Sequence, residues 1–181
     1  MVNSIITGLL PKTTYHFRVK AVNNLGTIVG EELIFTTLSI NQISDIEGNV
    51  YNTIQIGTQL WMKENLKVTK YRDGSLIPSV ADMTSWSGLS SGAYCWINND
   101  PVTYFNIYGA LYNGYTMDDD NLCPTGWHVP TDADWTILTD FLGGLDVAGG
   151  KLKEVGTAHW ESPNTGATNE FGFTALPSGS R

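Results

Sequence analysis

From Tyr15 to Ala21 the chain alternates, with Tyr15, Phe17, Val19 and Ala21 apolar and His16, Arg18 and Lys20 polar. A period of two is that of a half-buried strand. Asn23, Asn24 and Gly26 then supply turn chemistry, and residues 32–37 form a second strand that pairs back. After "LSINQIS" the pattern changes. Val50, Ile54 and Ile56 favour a strand, Gly57-Thr58 a tight turn, and residues 59–62 a returning strand, with another turn at Asp73-Gly74. The stretch "TSWSGLSSGAYCWINND", 84–100, reads as a long loop leading to a short strand. In "YGALYNGY", 108–115, small and aromatic residues alternate, and Phe171, Phe173 and Leu176 alternate as a strand would. No repeat unit and no low-complexity tract interrupts this order.

A helical period replaces the alternation in one place. Trp135, Leu138 and Leu142 stand at i, i+3 and i+7, with Ile137 and Phe141 beside them. The sequence just before them, "CPTGWHVPTDADW", carries the signals of a helix start. Pro130 holds Val129 extended. Thr131 is placed as an N-cap whose hydroxyl accepts the Asp134 amide, and Asp134 reaches back as an acidic capping box. Both Asp132 and Asp134 lie where the helix dipole favours negative charge. Gly143-Gly144 ends the helix. These signals predict helices over about 131–142 and 147–154, with Trp135 in the core and Trp127 packed beneath the helix start.

Composition narrows the function classes. Charged residues make up 15% of the 181 positions and the net charge is −8. That balance argues against nucleic-acid binding, which depends on cations neutralising phosphates, and against a polybasic membrane anchor. No apolar run has the length of a membrane span, and the N-terminus reads as lacking an export signal. Six Trp, eight Tyr and six Phe supply apolar surface for a folded, turn-rich protein.

The same "CPTGWHVPTDADW" invites an enzymatic reading through Cys123 and His128. Five residues of Pro- and Gly-containing turn do not set the geometry of a nucleophile and its base. A zinc site would need about four ligands, and the chain has two Cys and three His in all. The architectural reading accounts for more of the residues. Cys95 and Cys123 could pair or remain free; the count leaves both open.

Two resemblances become visible in these stretches. Leu9-x-Pro11-x-Thr13-x-Tyr15, followed by "FRVKAVNNLG" and "FTT", resembles the tyrosine corner and last three strands of a fibronectin type III domain. It implies that the Tyr15 hydroxyl bonds the upstream backbone, and that residues 1–38 are part of an all-β sandwich whose first strands are missing. Residues 39–44 would be a linker. From residue 45 to 181, "YNTIQIGTQLWMKENL", "YCWINND", "YGALYNGY", "LCPTGWHVPTDADW", "AGGKLKE" and "HWESPNTGATNEFGFTALPSG" resemble, in order, the Fibrobacter succinogenes major paralogous domain. That family resembles in turn the C-type-lectin-like fold of formylglycine-generating enzymes. The expected class is therefore α+β, with short strands, one or two helices and long loops, truncated at its C-terminal side. By resemblance Cys123 is the cysteine that pairs with a closing strand.

The resemblance implies a non-catalytic bacterial surface or secreted module that binds a polysaccharide or a surface protein. The rival readings are an oxidase like the formylglycine-generating enzymes, for whose reactive cysteine pair no counterpart appears, and a structural filler. Candidate ligand residues are Trp86 and Trp96, in Ser/Gly-rich surroundings, with Asn98, Asn99, Asn164 and Asn169 in polar loops; such Asn residues also build turns by bonding their own backbone. No cofactor is expected. Calcium is the one candidate ion, through Asp118, Asp119, Asp120 and Asn121, although "MDDDN" lacks the spaced ligands and glycine of an EF-hand loop. Exposed apolar strands at both ends imply self-association of this chain.

Overall fold

A computed structural model describes residues 6–181. The chain divides into two compact units, Met1–Gln42 and Ile43–Arg181, and the division falls within the segment read as a linker.

The first unit contains β1 (Thr14–Phe17), β2 (Lys20–Asn23), β3 (Gly26–Val29) and β4 (Leu33–Thr36). β1 pairs antiparallel with β4, Tyr15 opposite Phe35, and β2 with β3, Ala21 opposite Ile28. The single strand expected through Ala21 is thus two. The ladder is interrupted at Arg18 and Val19, where the Gly30 amide donates to the Val19 carbonyl at 2.8 Å. Asn23 closes the hairpin by accepting the Leu25 and Gly26 amides on its Oδ1. The Tyr15 hydroxyl accepts the Leu10 amide at 2.8 Å, the upstream bond that the Leu-Pro-Thr-Tyr spacing predicts. Tyr15 and Phe17 both pack on Phe35, with ring centroids 5.7 and 5.9 Å apart. The unit thus holds two two-stranded sheets, and Phe17, Val19, Val22, Ile28 and Leu33 are exposed.

The second unit mixes helix and strand, as the α+β expectation requires. β5 (Gln42–Ser44), β6 (Val50–Ile56) and β7 (Gln59–Met62) form a three-stranded sheet in that order. β6 and β7 are the expected hairpin, with Ile54 opposite Trp61. β8 (Tyr94–Cys95) pairs with β9 (Leu111–Tyr112). The helices are α1 (Met83–Ser87), α2 (Pro101–Tyr108), α3 (Gly114–Met117), α4 (Asp132–Phe141) and α5 (Leu145–Leu152).

Two buried clusters hold this unit together. In one, Ile56 and Trp61 of the sheet meet Leu138 of α4, Leu142 at its C-terminal cap, and Ala148 and Leu152 of α5. In the other, Val68, Ile77, Tyr94 and Leu122 pack with Tyr112 and Trp96 at the margin. A polar knot joins the sheet edge to its loops. The buried Tyr51 hydroxyl donates to Asp45 Oδ2 at 2.7 Å and accepts the Lys67 amide at 3.2 Å. Burial, with the Asp45 carboxylate beside it, pushes the Tyr51 phenol well above its ordinary range.

Three expectations need correction. The loop expected over 84–100 contains α1, capped by Asp82 accepting the Ser85 amide at 2.7 Å. α2 was not foreseen, although Asp100 as N-cap and Pro101 at the first helical position announce it. The strand expected from Phe171, Phe173 and Leu176 is absent; only a single bridge joins Ala175 to Lys153. Asn169, Gly172 and Thr174 adopt left-handed backbone (φ 47°, 72° and 64°), which turns the chain instead of extending it.

Candidate functional site

The N-terminus of α4 positions the site. Thr131 Oγ1 accepts the Asp134 amide at 3.2 Å, and Asp134 Oδ2 accepts the Thr131 amide at 2.9 Å, so the capping box forms as predicted. His128 Nε2 lies 3.1 Å from the same Oδ2. The Thr131 hydroxyl and amide, and then His128, hold the Asp134 carboxyl down at about 2. This charge is engaged in fixing the loop to the helix. On the other side of the helix start, Gln59 of β7 donates from Nε2 to the Asp134 carbonyl at 3.1 Å.

α4 does not bury the face that its periodicity suggests. Leu138 and Leu142 are fully buried, but Ile137 and Phe141 are exposed. Trp135, expected in the core, is 43% exposed. It sits in the first turn and leans on Trp61 of β7 at 4.9 Å between ring centroids. Trp61, on the sheet, is the core indole of this pair, only 7% exposed. Trp127 is half-buried and is likewise not sealed beneath the helix.

Together these elements enclose a cleft of about 470 Å³. Trp61 and Gln59 of β7, the loop carrying Trp127 and His128, and Asp134 and Trp135 of α4 line it, with Phe173, Met117 and Cys123 completing the wall. Two of its polar atoms, Trp61 Nε1 and Gln59 Oε1, are buried without any hydrogen-bond partner. Trp127 and Trp135, assigned to architecture in the sequence, therefore border an open cleft in this unit. Their two-sidedness escapes the sequence, because the indole pattern does not say which turn of the helix overhangs the sheet.

The other candidate residues lie elsewhere. Trp86 is half-buried, with the Arg181 guanidinium over its ring at 5.5 Å. Arg181 also donates to Asn99 Oδ1 at 3.0 Å and to the Ala81 carbonyl. Trp96 is half-buried, held edge-on between Tyr94 and Phe105. Asn98 and Asn99 take left-handed backbone in the turn after it, and Asn98 is exposed. Asn164 donates to the Glu154 and Gly156 carbonyls, and Asn169 bonds the Thr174 amide and hydroxyl. Asn169 is thus committed to holding its own loop, as is the Asn164 NH2 group, while Asn164 Oδ1 is buried without a partner.

No three acidic, His or Cys side chains converge among the described residues. Asp118 caps α3, Asp119 Oδ1 accepts the Asn121 amide, and Asn121 accepts from Arg72, while Asp120 is exposed. The acidic run is folded as a turn. Cys95 and Cys123 are both buried free thiols. Burial pushes each thiol upward, opposed by Arg181 at Cys95 and by Arg72 at Cys123.

The second unit is accordingly an α+β module with a tryptophan-bordered cleft at the start of its longest helix. Residues 54–181 match the model of the Fibrobacter succinogenes major domain, and the chain belongs to that family. Comparison with curated proteins and with solved structures gives no match. No helix among the described residues is long and apolar enough to cross a membrane.

Proposed function

We propose that this module is a non-catalytic binding and adhesion domain, displayed on a bacterial surface or secreted, that holds a polysaccharide or a surface protein in the cleft at the start of α4. The observation that carries this reading is the gathering of indoles at one opening. A Trp that is 43% exposed, beside a half-buried one, over a cleft of about 470 Å³ leaves apolar surface where a compact fold would cover it. Indoles suit such a place because they offer a flat apolar face together with one N–H donor.

The thiols favour binding over the oxidase alternative. A cysteine nucleophile works as a thiolate, and burial pushes Cys95 and Cys123 upward, away from that form. The His128–Asp134 pair is occupied with capping the helix. The tyrosine-corner bond of Tyr15 is consistent with a fibronectin-type spacer ahead of the module. The capped α4 is likewise consistent with the C-type-lectin-like arrangement that the motifs suggest.

Co-sedimentation of the full chain with insoluble glucan, xylan and mannan, alongside binding to extracted bacterial surface proteins, tests this reading. Saturable binding to a polysaccharide or to a purified surface protein is expected. Absence of binding to all of them, with the protein folded by circular dichroism, would leave the structural-filler reading in its place.

A further inference from the structure

We infer that the cleft takes an uncharged, hydroxyl-rich ring, a neutral sugar unit, with Trp135 as its stacking face; the inference rests on the binding reading above. Three observations converge on this chemistry. The wall holds one unpaired donor, Trp61 Nε1–H, and one unpaired acceptor, Gln59 Oε1. The orientation of the Gln59 amide is fixed, because its Nε2 donates to the Asp134 carbonyl at 3.1 Å and the oxygen must face away. Unpaired groups of this kind are rare in folded proteins and call for a partner. A sugar hydroxyl both donates and accepts, so it answers both requirements, whereas an aliphatic side chain of a partner protein answers neither.

The second observation is shape. Trp135 is 43% exposed and rests on Trp61 at 4.9 Å and 40° between ring planes, so its outer face is open for stacking by the C–H face of a ring. Trp61 Nε1 and Gln59 Oε1 are closed off from bulk water, so stacking on Trp135 comes first and contact with the two atoms is tested separately by Gln59→Leu. The third is charge. Glu64 and Asp134 border the cleft, and among the described residues His128 is the only basic one on it. Asp134 remains an anion down to about pH 2, and acidic sugars would meet it unfavourably.

Calorimetric titration of the full chain with cellohexaose, mannohexaose and a hexagalacturonate, in parallel with the sedimentation assay, tests the inference. A neutral hexasaccharide should bind at least tenfold more tightly than the uronate. Trp135→Ala and Gln59→Leu should each weaken it at least tenfold, Trp135→Phe less, and Trp86→Ala not at all. Cooperative melting curves, with the assays run well below each midpoint, would show that the variants fold; Trp135→Phe keeps the packing should Trp135→Ala not. Neutral-sugar binding that survives both cleft substitutions would overturn the site while leaving the binding function intact. Tighter binding of the uronate would overturn the neutrality of the ligand. Capture by a purified surface protein, without any hexasaccharide or polysaccharide binding, would overturn the sugar assignment alone. Loss of every interaction would remove both proposals.

Discussion

Asp134 joins three roles at one carboxylate: it caps α4, receives His128, and faces the cleft. Its neighbours hold it at about 2, below the ordinary 3.8. A folded-state value below the unfolded one means that the ionised form favours the fold. That contribution is complete above about pH 4–5 and fades as pH falls through 4 toward 2. Melting temperatures between pH 5 and pH 2 should therefore drop more in the parent than in Asp134→Asn. Thr131→Ala, which removes the other half of the box, should cost about 1 kcal/mol in urea melts. A cost near zero would mean that the helix start is held by Gln59 and the loop instead.

Elements decide differently from the residues that compose them. The 3.6-residue period of α4 names five apolar positions, yet only Leu138 and Leu142 are sealed. Leu138→Ala should cost about 2–5 kcal/mol, whereas Trp135→Ala, half in water, should cost only about 1–2 kcal/mol. Equal losses in denaturant melts would place Trp135 in the core after all. α5 gives the opposite case. Replacing a helical glycine by alanine ordinarily gains up to about 1 kcal/mol. At Gly150 a Cβ would strike the Gly166 carbonyl, and the Gly150 carbonyl accepts the Thr168 amide at 2.9 Å. Backbone cannot yield as a side chain does, so overpacking wins. Gly150→Ala should destabilise the protein by about 1–3 kcal/mol, read as a lower urea midpoint. A higher midpoint would show that the 164–168 loop moves aside freely.

At the scale of the whole molecule, the two units differ in how far they satisfy their apolar side chains. The second has two buried clusters, while the hairpin of the first leaves Val19, Val22 and Ile28 about two-thirds or more exposed. Such a surface, with unpaired strand edges, favours association. The 181-residue chain should therefore bind a hydrophobic dye and run larger than a monomer in light scattering, and Val22→Lys with Ile28→Lys should reduce both signals. A monodisperse, dye-negative monomer would show that this hairpin is self-sufficient.

Local rules determined much of this protein from sequence alone. The β6–β7 hairpin, the Thr131–Asp134 box, the Gly143-Gly144 stop and the Tyr15 bond all depend on residues close along the chain, where turn chemistry and capping geometry are written in adjacent side chains. The ordered motifs of residues 54–181 carry the family for the same reason. What only the tertiary structure decided was exposure. Whether Trp135 or Trp61 is the core indole depends on how α4 settles on the sheet, and that is set by Ile56 of β6, Leu138 and Leu142 at α4 and Leu152 of α5 meeting from three separate elements. The failed strand at 171–176 has a similar origin. Its alternation was real, but left-handed turns at Asn169, Gly172 and Thr174 bring Phe173 back against Trp61, a contact across more than a hundred residues that no local period contains.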